Sequence, residues 1–281
     1  MIDTQLGPVQ CRDEGDGPCL LFVHGSPGGD DQGSLMTRFL RDRGWRTVSF
    51  ARPGYHGTPL TDDNRTPDAQ ASLAAAVMDA LEVERFGLMC WSGGGPSSYR
   101  LAAMHPDRVT SLVAIAAVSS PFEFEGAGEE RMLMGRFGAW LMKEMVRHTP
   151  KETINSLVKE EGDLDKDQRK QLVEAIWDDP DRRRFALDLM ETIVGDRKPG
   201  FDNDLEQFEH VELGLEAVTA KVLLFHAKTD ADVPFAQSEH ALAHLPHAEL
   251  ATIEHGTHVS VWTDADSTAH QERIAAFLVR P

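Results

Sequence analysis

Residues 86–95 read Phe-Gly-Leu-Met-Cys-Trp-Ser-Gly-Gly-Gly, and this stretch decides the predicted fold. The apolar run over residues 86–91 has the length and composition of a buried strand. It leads into Ser92 and three glycines, and a helical pattern follows over residues 97–104. A strand that turns sharply into a helix needs small residues, because the turn is sterically tight. The stretch therefore predicts a strand–serine–helix turn that lifts the Ser92 hydroxyl clear of the sheet.

The turn also has the electrostatics of a site for a developing negative charge. The helix after the serine points its N-terminus and free N–H groups at the same spot. The pattern Gly-x-Ser-x-Gly is met at Gly94, whereas Cys90 replaces the first glycine. Cysteine is still small, so the departure weakens the pattern only mildly. A glycine-flanked serine is also found in plain strand–helix turns, so the segment needs support from the rest of the chain.

Short apolar runs alternate with helical patterns along most of the chain, which predicts a mostly parallel sheet with helices on both faces, an α/β fold. The predicted strands lie near residues 19–24, 46–50, 86–90, 109–118, 221–226 and 249–254, with an antiparallel edge hairpin before them. Between residues 121 and 215 only helical patterns occur, over 129–147, 150–160, 166–177 and 181–194. We therefore predict a core domain of residues 1–120 and 216–281, with residues 121–215 inserted as a helical cap.

Two polar residues follow later strands of the predicted sheet. Asp230 comes just after the strand near 221–226, and His258 comes just after the strand near 249–254. Sites in open parallel sheets form at the carboxyl ends of the strands. A serine nucleophile needs a base beside it, and the base needs a third group that fixes its tautomer. The order Ser92, Asp230, His258 thus predicts a catalytic set.

Neighbouring residues compete for two of these roles. Asp232 lies two residues after Asp230, and His255 lies three before His258. The spacings Asp-x-x-Val-Pro and Gly-x-His favour Asp230 and His258, which leaves Asp232 and His255 as surface or supporting groups. Glu123 and Glu125, beyond the preceding strand, are interpreted as entry to the cap.

A fourth segment, His-Gly-Ser-Pro-Gly-Gly over residues 24–29, follows the strand near 19–24. The backbone N–H of Ser26 could join that of Gly93 to hold the oxyanion of a tetrahedral intermediate. Pro27 has no N–H to donate, which narrows the choice. His24 is predicted to hold this loop by hydrogen bonds.

Together these segments resemble the α/β-hydrolase superfamily with an inserted helical cap. The Ala-Arg-Pro-Gly-Tyr-His-Gly stretch over residues 51–57 is similar to that family's next loop, and the four motifs occur in the family's order. The resemblance covers nearly all of the chain outside the cap. It implies Ser92 as nucleophile, His258 as base and Asp230 as its partner, with Ser26 and Gly93 as oxyanion donors.

The pocket is harder to predict than the catalytic set. Trp91 could line the pocket or pack against the cap, and His24 is a further candidate for the pocket lining. The cap contains five of the ten methionines, together with Phe137 and Trp140. An adaptable lining that includes Phe137, Trp140 and Met145 would suit a small-molecule substrate with an apolar acyl or ring-bearing part. The alternative is that these residues pack the cap's own core.

Composition excludes several classes of partner. The 281 residues have a formal net charge of −18, which argues against nucleic acids and anionic membranes as partners. Three scattered cysteines, no signal-like N-terminus and no membrane-length apolar run indicate a cytoplasmic protein. The histidines show no metal-ligand spacing, so neither a metal nor a cofactor is expected. The cap region carries a net charge of −9, from 14 Lys+Arg and 23 Asp+Glu.

The leading functional prediction is a serine hydrolase that cleaves a carboxylic ester, lactone or thioester through an acyl-enzyme. Two enzyme alternatives remain, an aminopeptidase of the proline-releasing type and a hydrolase of carbon–carbon bonds. A ligand-binding or receptor-type member of the same fold is the alternative outside enzymes. The substrate and the oligomeric state stay open, because specificity depends on the cap and the pocket shape.

Overall fold

In the computed structural model of the protein, residues 1–124, 128, 131 and 134–278 are described. The strands are β1 Ile2–Thr4, β2 Gly7–Val9, β3 Cys11–Glu14, β4 Cys19–Val23, β5 Arg46–Phe50, β6 Phe86–Trp91, β7 Val109–Ile115, β8 Lys221–Ala227 and β9 Ala248–Ile253. Within these described ranges, seven strands form one sheet in the order β3-β5-β4-β6-β7-β8-β9. Strand β3 runs antiparallel to β5, and the other neighbours are parallel.

The burial of strands β4 and β6 explains their continuous apolar runs in the sequence. Every residue of β4 and of β6 is buried. A strand covered on both faces is expected to be continuously apolar, as these two are. The mostly parallel α/β sheet is therefore confirmed. The N-terminal hairpin of β1 and β2 forms a separate two-stranded sheet, and the antiparallel edge of the large sheet is β3.

Helices cover both faces of the sheet and fill the region between β7 and β8. They are α1 Asp30–Met36, α2 Arg38–Arg41, α3 Pro67–Ala80, α4 Gly95–Met104, α5 Arg136–His148, α6 Pro150–Glu161, α7 Lys166–Asp178, α8 Pro180–Glu191, α9 Lys198–Phe208, α10 Ala236–His244, α11 Ser260–Thr263 and α12 Ser267–Phe277. Helix α3 begins at Pro67, because the Thr66 side chain accepts a hydrogen bond from the Ala69 N–H and Pro67 occupies the first turn.

Helices α5 to α9 make up the helical insertion. Four of them correspond to predicted helical patterns, whereas α9 was not predicted because Pro199 and Gly200 interrupt the helical pattern at its start. A proline in the first turn is compatible with a helix, since its missing N–H would be unpaired there anyway. The ring of Phe185 in α8 stacks on that of Trp262 in α11 at a centroid distance of 5.6 Å. The assignment of residues 121–215 to a separate cap domain stays a prediction.

None of the helices described in residues 1–124 and 134–278 has the length and apolar character needed to span a membrane.

The buried carboxylate of Asp30 connects the start of α1 to residues at the edge strand β3. Asp30, at the start of α1, accepts hydrogen bonds from Gln10 and Arg12 at 2.9 and 3.0 Å. Its Oδ1 also lies 2.7 Å from Nδ1 of His56. Burial raises the pKa of Asp30, but the hydrogen bonds from His56 and Arg12 outweigh it and lower this pKa to about 2. The ionised carboxylate therefore stabilises the folded chain.

We expect Asp30→Asn to lower the free energy of unfolding by about 2 kcal/mol at pH 7. A depressed folded pKa contributes stability above the unfolded pKa, near 4, and this contribution disappears as the pH falls through the folded value near 2. The gap between wild type and variant should shrink to about half by pH 3. Urea unfolding of both proteins between pH 3 and 7 measures it, with the exposed Asp3→Asn as control. A gap that does not change with pH would contradict this role of the Asp30 charge.

Candidate active site

The turn after β6 holds Ser92 in a strained backbone conformation. Ser92 has a φ of +52°, in the left-handed region that costs a non-glycine residue roughly 1–2 kcal/mol. A short 3₁₀ turn over Ser92–Gly94 follows, and α4 begins at Gly95. A Cβ added at Gly94 would lie 2.5 Å from the Val23 carbonyl oxygen, so only glycine fits there. The predicted strand–serine–helix turn is therefore present.

Cys90 precedes this turn at the position where the sequence pattern favours glycine. Its side chain is fully buried, and burial raises the pKa of its thiol to about 12. A protonated, buried thiol is a poor nucleophile. Cys90 is thus a small residue that packs beside the turn.

Asp230 and His258 meet beside this turn, at the carboxyl ends of β8 and β9. Nδ1 of His258 lies 2.7 Å from Oδ2 of Asp230, and the other carboxylate oxygen accepts the N–H groups of Asp232 and Val233, each at 2.9 Å. Burial raises the pKa of Asp230, but the imidazoles of His258 and His226 outweigh it and hold that pKa well below its ordinary range. An ionised Asp230 keeps the proton on Nδ1 of His258 and leaves Nε2 for other chemistry.

Nε2 of His258 faces a carboxylate. Oδ2 of Asp232 lies 3.1 Å from this nitrogen. Within the described residues Nε2 makes no hydrogen bond, so the bond to Ser92 expected of a serine–histidine pair is not formed here. Burial lowers the pKa of His258, but the carboxylates of Asp230 and Asp232 outweigh it and raise this pKa above its ordinary value. Asp232, interpreted from sequence as a supporting or surface group, therefore contacts the imidazole directly.

The helical insertion covers this imidazole through the end of α6. The carbonyl oxygen of Glu161 accepts the His258 N–H at 2.9 Å and the Ala231 N–H at 3.4 Å. The N–H of Asp163 donates to the Thr229 carbonyl at 2.8 Å. Ser92 and His258 are only 5% and 2% exposed. The candidate site is thus closed by main-chain bonds between the insertion and the loops that follow β8 and β9.

The loop of residues 24–29 lies against the turn, as its sequence predicts. A Cβ added at Gly93 would lie 2.1 Å from Oγ of Ser26, so these two residues are in close contact. His24 is fully buried, with Nδ1 2.7 Å from the Gly25 carbonyl oxygen and Nε2 2.9 Å from the Arg52 N–H. Burial and the charge of Arg52 hold the pKa of His24 well below its ordinary value, so the ring is neutral. These two hydrogen bonds connect the loop of residues 24–29 to the loop that contains Arg52.

A buried polar cluster joins this loop to the insertion. Asp204, on the unpredicted helix α9, pairs with Arg52 through contacts of 2.6 and 2.7 Å. Oδ2 of Asp204 also accepts hydrogen bonds from Ser26 Oγ and Tyr55 Oη, both at 2.5 Å. Burial, together with the Asp204 carboxylate, raises the pKa of Tyr55 well above its ordinary value, so the phenol keeps its proton. We call Ser26, Arg52, Tyr55 and Asp204 the Asp204 cluster.

The pocket candidates lie in different surroundings. The buried Trp91 ring packs 4.8 Å from the His258 ring, and its indole N–H donates to the His258 carbonyl at 3.1 Å. Phe137 and Trp140 lie on α5, 72% and 56% exposed, and Met145 on the same helix is half-buried. Their role in a pocket stays a prediction.

An apolar group that the sequence pattern did not predict lies at the serine turn. The ring of Phe208, at the end of α9, would lie 2.8 Å from a Cβ added at Gly93. Phe208 belongs to a buried cluster with Val118 and Val233, and Phe122 packs against it. Of the other candidates weighed, His255 and Glu123 are exposed, and Glu125 lies outside the described residues.

Comparison with known proteins agrees with this geometry. Residues 18–265 match the model of the alpha/beta hydrolase fold family, so the chain belongs to that family. An alpha/beta hydrolase fold protein from Nakamurella multipartita is 44% identical, and its structure superposes with a TM-score of 0.94 over 99% of this chain and 97% of that one.

Two more distant proteins are similar to this chain, one in structure and one in sequence. An esterase from Exiguobacterium antarcticum has a TM-score of 0.68 at 17% identity, covering 98% of this chain and 97% of its own. A 2-hydroxy-6-oxononadienedioate/2-hydroxy-6-oxononatrienedioate hydrolase from Cupriavidus pinatubonensis is 24% identical over 94% of this chain and 88% of its own length. The α/β-hydrolase resemblance is therefore confirmed, and membership of the family implies a small-molecule substrate.

Proposed function

We propose that this α/β-hydrolase cleaves a carboxylic ester, lactone or thioester through an acyl-enzyme formed on Ser92. One observation carries the proposal: a serine in a strained turn shares a sheet edge with an imidazole whose Nδ1 lies 2.7 Å from a buried carboxylate. These are the nucleophile, base and orienting group that acyl transfer requires.

In this mechanism Nε2 of His258 takes the proton of Ser92 as Oγ attacks the acyl carbon. The oxyanion of the tetrahedral intermediate accepts hydrogen bonds from the backbone N–H groups of Ser26 and Gly93. As the intermediate collapses, His258 returns the proton to the departing alcohol or thiol. Water then attacks the acyl-enzyme with the same proton transfers, which releases the acid and restores Ser92.

The base can act only when its Nε2 is free of a proton. A carboxylate 3.1 Å away favours the protonated ring, so Asp232 in this position opposes the proposed role of His258 as a base. A substrate that separates Asp232 from Nε2 would remove this opposition.

The surroundings of the serine favour an apolar acyl part. Phe208, Val118 and Val233 form a buried apolar cluster beside the Ser92 turn. Rates across nitrophenyl esters of increasing acyl length, with lactones, thioesters and amides in parallel, test this. We expect esters of apolar acids to be cleaved fastest, and faster cleavage of proline arylamides than of matched esters would overturn the ester assignment.

Asp230→Asn should lower kcat for ester hydrolysis by about 10⁴-fold, because the amide stabilises the wrong tautomer of His258 and cannot stabilise its protonated form. The control is Glu254→Gln, which removes an exposed carboxylate from the loop that precedes His258. Steady-state kinetics of both variants measures the difference. Equal kcat values for the two variants would remove Asp230 from the mechanism.

Hydrolysis of a carbon–carbon bond is the second candidate, favoured by the 24% identical hydrolase from Cupriavidus pinatubonensis. The two functions are separated by offering a 2-hydroxy-6-oxo dienoate beside a nitrophenyl ester. Labelling of Ser92 by a fluorophosphonate probe separates both from a ligand-binding protein, in which the serine would not react.

A further inference from the structure

A second buried histidine lies on the other side of Asp230. His226 belongs to β8 and is 1% exposed. Its Nε2 lies 3.2 Å from Oδ2 of Asp230, the same oxygen that lies 2.7 Å from Nδ1 of His258. One carboxylate oxygen is therefore shared between two imidazole rings, of which the proposed mechanism uses one.

The partners of His226 decide which of its nitrogens carries a proton. Nε2 lies 3.0 Å from the Val233 carbonyl oxygen, which can only accept a hydrogen bond. Nδ1 lies 2.7 Å from the Ser238 hydroxyl, which can donate to it. The proton is therefore on Nε2, on the side of the ring where the Asp230 carboxylate lies.

The same contacts hold the loop that carries Asp230. The Val233 N–H donates to Oδ1 of Asp230 at 2.9 Å, while the Val233 carbonyl accepts from His226. Ser238 lies in α10, so the His226 ring also connects β8 to the helix that follows this loop. The Asp230 carboxylate is thus held at Oδ1 by its own loop and approached at Oδ2 by the N–H of His226.

We propose that His226 is a positioning residue for Asp230. Its Nε2–H keeps the carboxylate turned toward His258 and takes up part of the negative charge on Oδ2. His226 acts through Asp230 and not on the substrate. This role rests on the proposed function, in which Asp230 orients His258 as the base for Ser92.

The charge on Asp230 matters because several carboxylates surround the same imidazole. Burial lowers the pKa of His258, but the carboxylates of Asp230, Asp232 and Glu161 raise it. A ring that is held protonated cannot take a proton from the nucleophile. An N–H directed at a carboxylate stabilises its charge and weakens its pull on a neighbouring proton. His226 therefore makes His258 less basic than the carboxylates alone would make it.

Burial of a histidine does not by itself imply such a role, as His24 shows. Both of its ring nitrogens contact main-chain groups, the Gly25 carbonyl and the Arg52 N–H. His226 differs because one of its nitrogens lies against the side-chain carboxylate of Asp230.

The role is tested by two amide substitutions that place the donor differently. In His226→Gln the amide N–H₂ can reach the place of Nε2, whereas in His226→Asn it reaches only the place of Nδ1. We expect His226→Asn to lower kcat for nitrophenyl ester hydrolysis by about 10-fold and to move the acid limb of kcat/KM to higher pH by about half a pH unit. His226→Gln should restore both. An acid limb that stays in place in His226→Asn, or moves equally in both variants, would overturn the proposal.

Ser238→Ala separates this role from a general loosening of the loop. It removes the partner of Nδ1 in His226 but leaves the Nε2–H in place. It should therefore lower the unfolding temperature while the acid limb keeps its wild-type position. An acid limb that moves as far in Ser238→Ala as in His226→Asn would show that His226 acts through packing alone.

A measurement without substrate separates this proposal from the proposed function. NMR of the full ¹⁵N-labelled chain follows the protonation of His258, with His258→Gln to assign the signal. The titration should lie at higher pH in His226→Asn than in wild type or His226→Gln. If this displacement is found in a chain that hydrolyses no ester, the positioning role is supported and the proposed function fails. If Ser92→Ala abolishes hydrolysis but His226→Asn leaves the titration unchanged, the proposed function stands and the role of His226 is refuted.

Discussion

Ser92→Ala is expected to lower kcat for ester hydrolysis by roughly 10⁴- to 10⁶-fold, the range seen when a serine nucleophile is removed. The alanine methyl group occupies the place of the serine Cβ, and the backbone keeps its φ of +52°. The fold should therefore be preserved, and the loss should reflect chemistry alone. Steady-state kinetics and thermal unfolding of the same preparation separate the two effects.

Ser98→Ala is the matched control for this change. Ser98 is a buried serine of the following helix, and its hydroxyl donates to the Gly94 carbonyl at 2.8 Å. Losing this hydrogen bond should cost about 1 kcal/mol of stability while activity stays within a few-fold. A fluorophosphonate probe should label wild type and Ser98→Ala but not Ser92→Ala. Undiminished turnover by Ser92→Ala would refute the proposed nucleophile.

The backbone strain at Ser92 can be tested with a second substitution of this residue. Glycine adopts positive φ without the steric cost that serine pays there. Ser92→Gly should therefore be as inactive as Ser92→Ala and should unfold at a higher temperature than it. Equal unfolding temperatures for the two variants would show that the strain is smaller than the conformation suggests.

The parts of the site that sequence could predict depend on local rules. An apolar strand followed by small residues predicts the turn at Ser92, because both requirements are written in consecutive positions. Asp230 and His258 were predictable since each follows a buried strand, and parallel strands bring their carboxyl ends to one edge. These features need no knowledge of side-chain packing.

The contacts made by the insertion could not be predicted in this way. Asp204 lies on a helix whose start, Lys-Pro-Gly, reads as an interruption. Its partner Arg52 is 152 residues away in sequence, and no periodic pattern links them. The role of Asp232 was predicted from its spacing alone. Its contact with His258, by contrast, depends on how the end of α6 packs against the loop after β8. Long-range polar contacts of this kind are set by tertiary packing.

Asp204→Ala should lower the free energy of unfolding by about 3–5 kcal/mol, because it leaves the Arg52 guanidinium buried without its counter-charge. Arg52 and Asp204 are 1% and 2% exposed, so solvent cannot replace the lost carboxylate without opening the structure. Ser26 and Tyr55 lose their acceptor at the same time. Urea unfolding at neutral pH measures the loss.

Asp202 provides the matched control, since it lies on the same helix and pairs with Arg131 and Lys198 at the surface. Exposed pairs contribute at most about 1 kcal/mol, so Asp202→Ala should have a small effect. The double variant Arg52→Met, Asp204→Leu should recover much of the stability lost in Asp204→Ala, because it removes the stranded charge together with its partner. Similar losses for Asp202→Ala and Asp204→Ala would mean that the buried pair does not anchor α9. If instead only Asp204→Ala is strongly destabilised, the Asp204 cluster joins the insertion to the loop that carries Ser26.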